Sequence, residues 1–433
     1  MAEEAARCVK NKPLNIILFV AFIDLVSFGL IIPLLPTYAK RLDASGLTLG
    51  LLLSAFSLAQ LVFNPLLGRW SDRVGRRRVL LVSIGGSVLS HALLGIADLR
   101  VSLMLLFVAR LLDGVTGANI ATAQAYIADV TTPENRARGM GLFGAAFGLG
   151  FVAGPGIGAG LVYVGHLVSG ERYATAWPAF GASAIALAAF LCVWRWLPES
   201  RKPAGTSGSR YATLSLDLLR IVRGQSRLRE LFTIMFTSIF AFVLLEVTFV
   251  YLCTDKLGIG MAAIGLIFAY IGILMVIVQG GLIGPLARRF GEPSLIATAP
   301  FITALGFILI SAIPWTQSAG VAWTLLLVGC VPIALGNGLT TPNVNALISR
   351  QAHKDRQGLT LGLAQGIGSL ARTIAPPIGG LLYDYGASWP YWVGAAIYIC
   401  LASYALRVRP AQMRALERGV EQKNPLSPRD PGN

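Results

Sequence analysis

About twelve apolar stretches, each close to the ~20 residues that a helix needs to cross a bilayer, run through this chain with mostly short polar connections between them. They cover about 14–37, 47–67, 79–98, 101–126, 139–164 and 174–196, then 229–252, 261–285, 294–313, 321–348, 359–383 and 390–408. Such runs leave few folds open. In lipid every backbone polar group must be satisfied internally, so only helices or a closed barrel can cross. The runs are too long and too uniformly apolar for the alternating strands of a barrel. The expected fold is an all-α membrane protein with twelve transmembrane helices in two six-helix pseudo-repeat bundles. Composition agrees. Of 433 residues, 55% are hydrophobic and 13% charged, against roughly 25% charged in a soluble domain.

The net charge is +15. In a soluble protein that excess would point to nucleic acid. Here it is parcelled into every second connection: 68–78, 197–230, 286–293 and 349–358, with Arg407, Arg409 and Arg414 beyond the last run. The intervening connections are near neutral, apart from Lys40 and Arg41 against Asp43. This is a positive-inside pattern, which predicts both termini and the long middle connection on the cytoplasmic side of the cell (inner) membrane. All eight tryptophans fall at or near predicted span ends, where an indole suits the lipid–water interface. The partners implied are the lipid bilayer and no nucleic acid.

The organisation expected is a cytoplasmic N-terminus (1–13), an N-terminal six-helix bundle (14–196), a linker (197–228), a C-terminal six-helix bundle (229–408) and a cytoplasmic tail (409–433). The start, MAEEAARCVKNKP, is polar, and the run after it is too long for a signal-peptide core, so the first span should be retained. RKPAGTSGSR marks the linker as flexible, and 213–228 has the pattern of a short amphipathic helix. The tail beyond 410 reads as disordered. Five scattered cysteines form no CxxC pair, and three histidines form no metal-ligand cluster. No HExxH motif or Ser-His dyad at helical spacing points to an enzyme. No cofactor and no metal are expected.

One basic connection has more order than a topology signal needs. GRWSDRVGRRR (68–78) sets Gly68 and Gly75 around Asp72, its one acid. GPLARRFG (284–291) repeats the glycine–arginine–glycine skeleton after the second run of the second half, with Arg288 where Asp72 stood. GPGIG (154–158) likewise matches APPIG (375–379). An internal repeat across a central linker suggests two bundles that rock against each other.

These stretches resemble the major facilitator superfamily. GRWSDRVGRRR is similar to its loop signature, and FVARLLDGVTGA (107–118) to its fourth-span motif. GLGFVAGPGIGAG (148–160) resembles the Gly-Pro motif of its antiporter branch. DLVSFGLIIPLLP (24–36) resembles the start of the twelve-span drug–proton antiporters, tetracycline exporters in particular. The resemblance covers about residues 14 to 408. It implies a conformational latch at Gly68, Asp72, Arg73, Gly75 and Arg76, with Asp72 meeting the opposite bundle when the inner side closes. The plainer reading is a local Asp–Arg surface pair. It also implies a bend at Gly150, Gly154, Pro155 and Gly158 that seals the cavity, which close packing alone would also explain.

Charges inside the spans carry the chemistry. A charge at mid-bilayer costs about 2.5–3.5 kcal/mol even on lenient scales, so such groups face the protein interior. Arg110 and Asp113 share a helix face and read as a proton-coupling pair or a static ion pair. Asp24 in the first span and Glu246 in the seventh are isolated carboxyls, suited to carry a proton. Arg372 in the eleventh span would pair with Glu246 or hold an anionic or zwitterionic ligand. With Asp24, Glu246 and Arg372, the polar residues Asn119, Gln124, Asn343 and Gln365 are candidates to line a substrate cavity; interhelical hydrogen bonds are the alternative. Where the resembling exporters carry an acid in the third span, this chain has Ser90 and His91; 294–313 has no acid at all. The function read from this is proton-driven efflux of small amphiphilic organic compounds or drugs by a monomer. The alternatives are a proton-coupled nutrient importer on the same fold, or a non-transporting receptor.

Overall fold

The computed structural model describes residues 2–31, 34–117, 119–131, 133–200, 226–351 and 357–423. Among these residues all regular structure is helical. The helices are α1 (Ala2–Ile31), α2 (Leu34–Arg41), α3 (Gly46–Val74), α4 (Arg76–Arg100), α5 (Leu103–Thr116), α6 (Asn119–Val130), α7 (Pro133–Ser169), α8 (Glu171–Ala174) and α9 (Trp177–Trp196). Beyond the linker come α10 (Ser226–Leu257), α11 (Met261–Ile277), a π-turn (Val278–Leu282), α12 (Ile283–Phe290), α13 (Glu292–Ser311), α14 (Ala319–Gln351), α15 (Gln357–Tyr385) and α16 (Trp389–Lys423). Nine segments among the described residues are long and apolar enough to cross a membrane.

Several boundaries differ from the sequence reading. The first run continues through α2 to Arg41. The fourth is two helices, α5 and α6, parted at Gly117, which ends α5. Helix α1 starts at Ala2, ahead of the apolar stretch that begins at Pro13. Helix α16 runs on to Lys423, which corrects the expectation of a disordered tail up to that point. The reason is local: RPAQMRALERGVEQK is rich in Ala, Leu, Arg, Glu and Gln, all strong helix formers. The amphipathic helix expected over 213–228 lies outside the described residues, apart from 226–228, which begin α10.

Helix α1 packs on α7 and α9, α4 on α5 and α9, and α3 on α5. Further along the chain α13 packs on α14 and α16, and α10 on α15 and α16. Leu30, Leu52, Leu94 and Leu106 are among the apolar residues that fill the first group. Leu231, Phe249, Phe307 and Tyr398 are among those that fill the second. Two helix pairs tie the groups together, α3 with α15 and α7 with α11.

Among the described residues, the tight glycine contacts of both pairs fall at one end. A Cβ on Gly46 would overlap the Gly380 carbonyl, and one on Gly50 the Pro376 carbonyl. Ser54 Oγ donates to the Thr373 carbonyl at 2.6 Å. Fourteen residues on, nothing lies within 4 Å of where a Cβ on Gly68 would sit, and the same holds for Gly362 and Gly366 of α15. In the other pair a Cβ on Gly265 would press on the Pro155 carbonyl at 2.7 Å, whereas Gly280 and Gly281 meet nothing. The helices touch beside the α2–α3 turn and part toward the 68–78 connection.

The closed end is also held by charge. Asp384 of α15 accepts hydrogen bonds from the Gly46 and Leu47 amides at 2.8 and 3.0 Å, capping the free N–H groups of α3. Lys40 pairs with Asp255, and Tyr383 Oη donates to the same carboxylate at 3.0 Å. Arg41 pairs with Asp98 at 2.8 Å. Lys40 and Arg41, which broke the alternation of basic connections, are thus each matched by an acid.

Candidate transport site

Lipid offers embedded charges nothing, and the first-half charges at Asp24, Arg110 and Asp113 are buried in the protein. Arg110 and Asp113, three residues apart on α5, are 3% and 4% exposed. Arg110 Nη1 donates to Asp113 Oδ2 at 3.0 Å, and the guanidinium lies 4.2 Å above the Phe56 ring of α3. Its Nε is buried with no hydrogen-bond partner among the described residues. On the other carboxylate oxygen, Ser90 Oγ donates to Asp113 Oδ1 at 3.1 Å. Asp24 is buried on α1 beside a void of about 10 Å³ lined by Ala21, Leu80, Ile84, Ala123 and Phe143. That volume is near the minimum for one water molecule.

The remaining candidates scatter. Glu246 on α10 is half-buried and Arg372 on α15 exposed, within electrostatic reach of each other but not in a contact ion pair. Gln365 is exposed and Gln124 half-buried. The Asn119 side chain lies outside those described. Asn343 departs from its expected cavity position. It is 2% exposed, and its Nδ2 donates back to the Leu339 carbonyl at 2.6 Å. That bond uses one of the two amide donors within its own helix.

The glycines of α7 have a clear structural role. A Cβ on Gly150 would press on Leu25 at 2.7 Å, and one on Gly154 on Gly29 at 2.8 Å; Gly158 faces Leu30. On the α11 side, the Pro155 carbonyl and Ala159 abut Gly265. Helix α7 is therefore wedged between α1 and α11, and these small residues set the separation.

The 68–78 connection is a tight turn between α3 and α4. Gly75 has φ +107°, a conformation that favours glycine. Glu199 accepts hydrogen bonds from the Arg76 and Arg77 amides at 2.7 and 3.2 Å, capping α4, and a Cβ on Gly75 would overlap it. Arg76, 8% exposed, reaches Asp72 at 2.7 Å, Asp129 at 3.1 Å and Ser71 Oγ at 3.0 Å. Arg73 is exposed. In this conformation Asp72 pairs within its own turn.

The family model for the major facilitator superfamily matches residues 17–375 and 322–431. The chain belongs to the major facilitator superfamily. It is a multi-pass membrane transporter, not an enzyme. The chain is 32% identical over 399 residues to the class C tetracycline resistance protein of Escherichia coli, covering 90% of this chain and 96% of that one. It is also 32% identical over 387 residues to multidrug resistance protein 2 of Bacillus subtilis (strain 168), covering 88% and 90%. Among solved structures it is similar to the human organic anion transporter MFSD10 (TETRAN), with a TM-score of 0.65, 25% identity and coverage of 92% and 99%. A bacterial homologue of the lysosomal transporter Spinster, in an inward-facing unoccupied conformation, shares the superfamily fold with a TM-score of 0.70, 15% identity and coverage of 94% and 98%.

Three polar contacts of this superfamily member escaped the sequence. Ser27 Oγ lies 3.0 Å from His91 Nδ1, joining α1 to α4. Glu199 caps α4, and Asp384 caps α3. Only the first carried a hint, since a histidine in the middle of an apolar run is a rare polar group that needs a partner.

Proposed function

We propose that this chain is a secondary active transporter of the inner membrane that exports small amphiphilic organic compounds in exchange for protons, by alternating access. The helices support twelve crossings in two six-helix bundles. In the first half these are α1 with α2, α3, α4, α5 with α6, α7, and α9. In the second they are α10, α11 with α12, α13, α14, α15 and α16. With the basic connections on the cytoplasmic side, both termini are cytoplasmic, the sealed end faces out and the parted end faces in. A monomer suffices on this reading, since both bundles belong to one chain.

The observation that carries this reading is the one-sided closure of α3 on α15 and α7 on α11 around embedded ionisable groups. Alternating access needs two packings of similar energy. Here the sealed end depends on glycine contacts and on Asp384 and Lys40, which can part without unfolding either bundle. Gly68 has no packing partner that demands a glycine here, which fits a role for Gly68 and Asp72 as the inner latch in the opposite packing. Tetracycline and multidrug resistance proteins among the relatives favour export, and the organic anion transporter favours a ligand with an anionic group. Arg372, the exposed cation beside Glu246, is the residue placed to meet it.

Everted membrane vesicles with an imposed proton gradient test direction and coupling together. Tetracycline should accumulate in them, and collapse of the gradient should release it. Accumulation in right-side-out vesicles instead would mark an importer. Asp24→Asn should reduce gradient-driven uptake at least tenfold. Arg372→Ala should abolish competition by anionic drugs while leaving competition by cationic ones.

A further inference from the structure

We propose that His91 is a proton-carrying residue of the N-terminal bundle, taking the coupling proton on Nε2 and presenting it to the Arg110–Asp113 pair. The inference rests on the proton-coupled reading and adds to it a buried titratable group beside the Arg110–Asp113 pair.

The ring is 3% exposed at the centre of α4 and is held from two sides. Ser27 Oγ of α1 lies 3.0 Å from Nδ1, and the same hydroxyl donates to the Ala182 carbonyl of α9 at 3.0 Å. Asp113 Oδ1 of α5 stands 4.0 Å from Nε2. A serine hydroxyl has one proton. If it goes to Ala182, then Nδ1–H donates to Oγ and both donors are satisfied. If it goes to Nδ1, the Nε2–H faces a carboxylate too distant for a hydrogen bond. The first arrangement makes two hydrogen bonds and the second makes one. The neutral ring therefore carries its proton on Nδ1 and turns a lone pair toward Asp113.

The space between Nε2 and Asp113 is where a proton adds. A proton from water bonds to the Nε2 lone pair, and the imidazolium then attracts Asp113 Oδ1, whose approach from 4.0 Å closes the Nε2–H hydrogen bond. Release reverses this: the N–H bond breaks, the proton returns to water, and the ring is neutral again. Without the extra proton the cluster of Arg110, Asp113 and His91 sums to zero charge; with it, to plus one. Asp113 then divides its attraction between α5's own Arg110 and the α4 ring, which draws α4 and α5 together and loosens Arg110 over Phe56. The other polar groups around the ring are Ser27 and, one turn along α1, Asp24; Ser90 on α4; and the Ala182 carbonyl. Seven-residue steps along α4 put Ile84, at the Asp24 void, about 10 Å to one side of His91, and Asp98, at the outer end, about 10 Å to the other. His91 thus stands midway on a stripe leading from the outer face to the Asp24 void.

A purely structural histidine, fastening α1 to α4, is the competing account. Two measurements on the full chain separate them. In proteoliposomes under a fixed pH gradient, with tetracycline as probe, H91Q should lose at least about tenfold of gradient-driven accumulation. Its gradient-free tetracycline exchange should fall less than about threefold. In the H166N/H353N background, ¹⁵N-histidine NMR of the remaining ring should show the Nδ1–H tautomer in alkali and imidazolium on acidification, with a midpoint that D113N lowers. Gradient-driven accumulation retained in H91Q would overturn the proposal. So would a ring that stays neutral between about pH 5 and 9, or one whose titration ignores D113N. Should the wild-type chain itself ignore the gradient, proton coupling fails as the function, and the NMR titration decides the fate of His91 separately.

Discussion

The connections at 68–78 and 284–291 share a sequence skeleton and turn at equivalent places, yet only the first is locked. In the first, Arg76 bridges Asp72 and Asp129 while Glu199 caps the next helix. In the second, no residue of α12 is buried, and the Arg289 guanidinium lies over the neighbouring Phe290 ring. An ion pair at that turn, Arg350 with Glu292, has an arginine that is 58% exposed. Repetition of sequence has preserved the turn but not the chemistry. With Arg288 in place of Asp72, the second connection has no carboxylate to hold an inward arginine. The asymmetry makes the first connection a fixed platform for a latch and leaves the second as a basic surface.

The largest expected effect breaks the lock itself. Arg76→Ala removes the guanidinium that bridges two partly buried carboxylates and should lower stability by about 2–3 kcal/mol, whereas Arg288→Ala should change it by less than about 0.5 kcal/mol. Denaturation midpoints of the purified variants in one detergent check both. Next come the turn glycines. Gly75→Ala and Gly291→Ala each force a side chain into a positive-φ conformation, at roughly 1–3 kcal/mol. Only the first also drives a Cβ into Glu199, since Gly291 meets nothing nearer than Pro293 Cδ at 3.8 Å. Equal losses at the two sites would remove the distinction drawn between the connections.

A smaller effect sharpens it. Glu199→Gln keeps one acceptor but loses the charge at the α4 N-terminus, at about 1 kcal/mol, with transport retained. Asp384→Asn makes the same chemical change on the α3 N-terminus, but there the cap crosses between bundles. It should shift the conformational balance rather than stability, widening the outer ends of α3 and α15 in spin-label distance measurements. A variant that unfolds earlier with unchanged distances would count against Asp384 as a movable seal.

The embedded charges show how far the chain could be read without coordinates. Arg110 and Asp113 pair because three residues on a helix bring side chains to one face, which spacing alone states. Asp24 was visible as a lone acid, though not the void beside it. The His91–Ser27 contact spans 64 residues, the Glu199 cap 123 and the Asp384 cap 338, and nothing local marks any of them. Asn343, a candidate for cavity lining or an interhelical bond, is seen to give one amide donor to its own helix instead.

The sequence by itself determined the membrane class, the helical character and the approximate place of each span, because a bilayer allows no other way to bury such long apolar runs. It also marked which charges had to face inward, since lipid rejects them. Only the tertiary structure decided which end of α3 and α15 is closed and which acid caps which helix. It alone placed Ser27 and Asp113 on opposite sides of His91. Those outcomes depend on how helices far apart in the chain cross, and crossing is set by small-residue contacts whose partners no local pattern names.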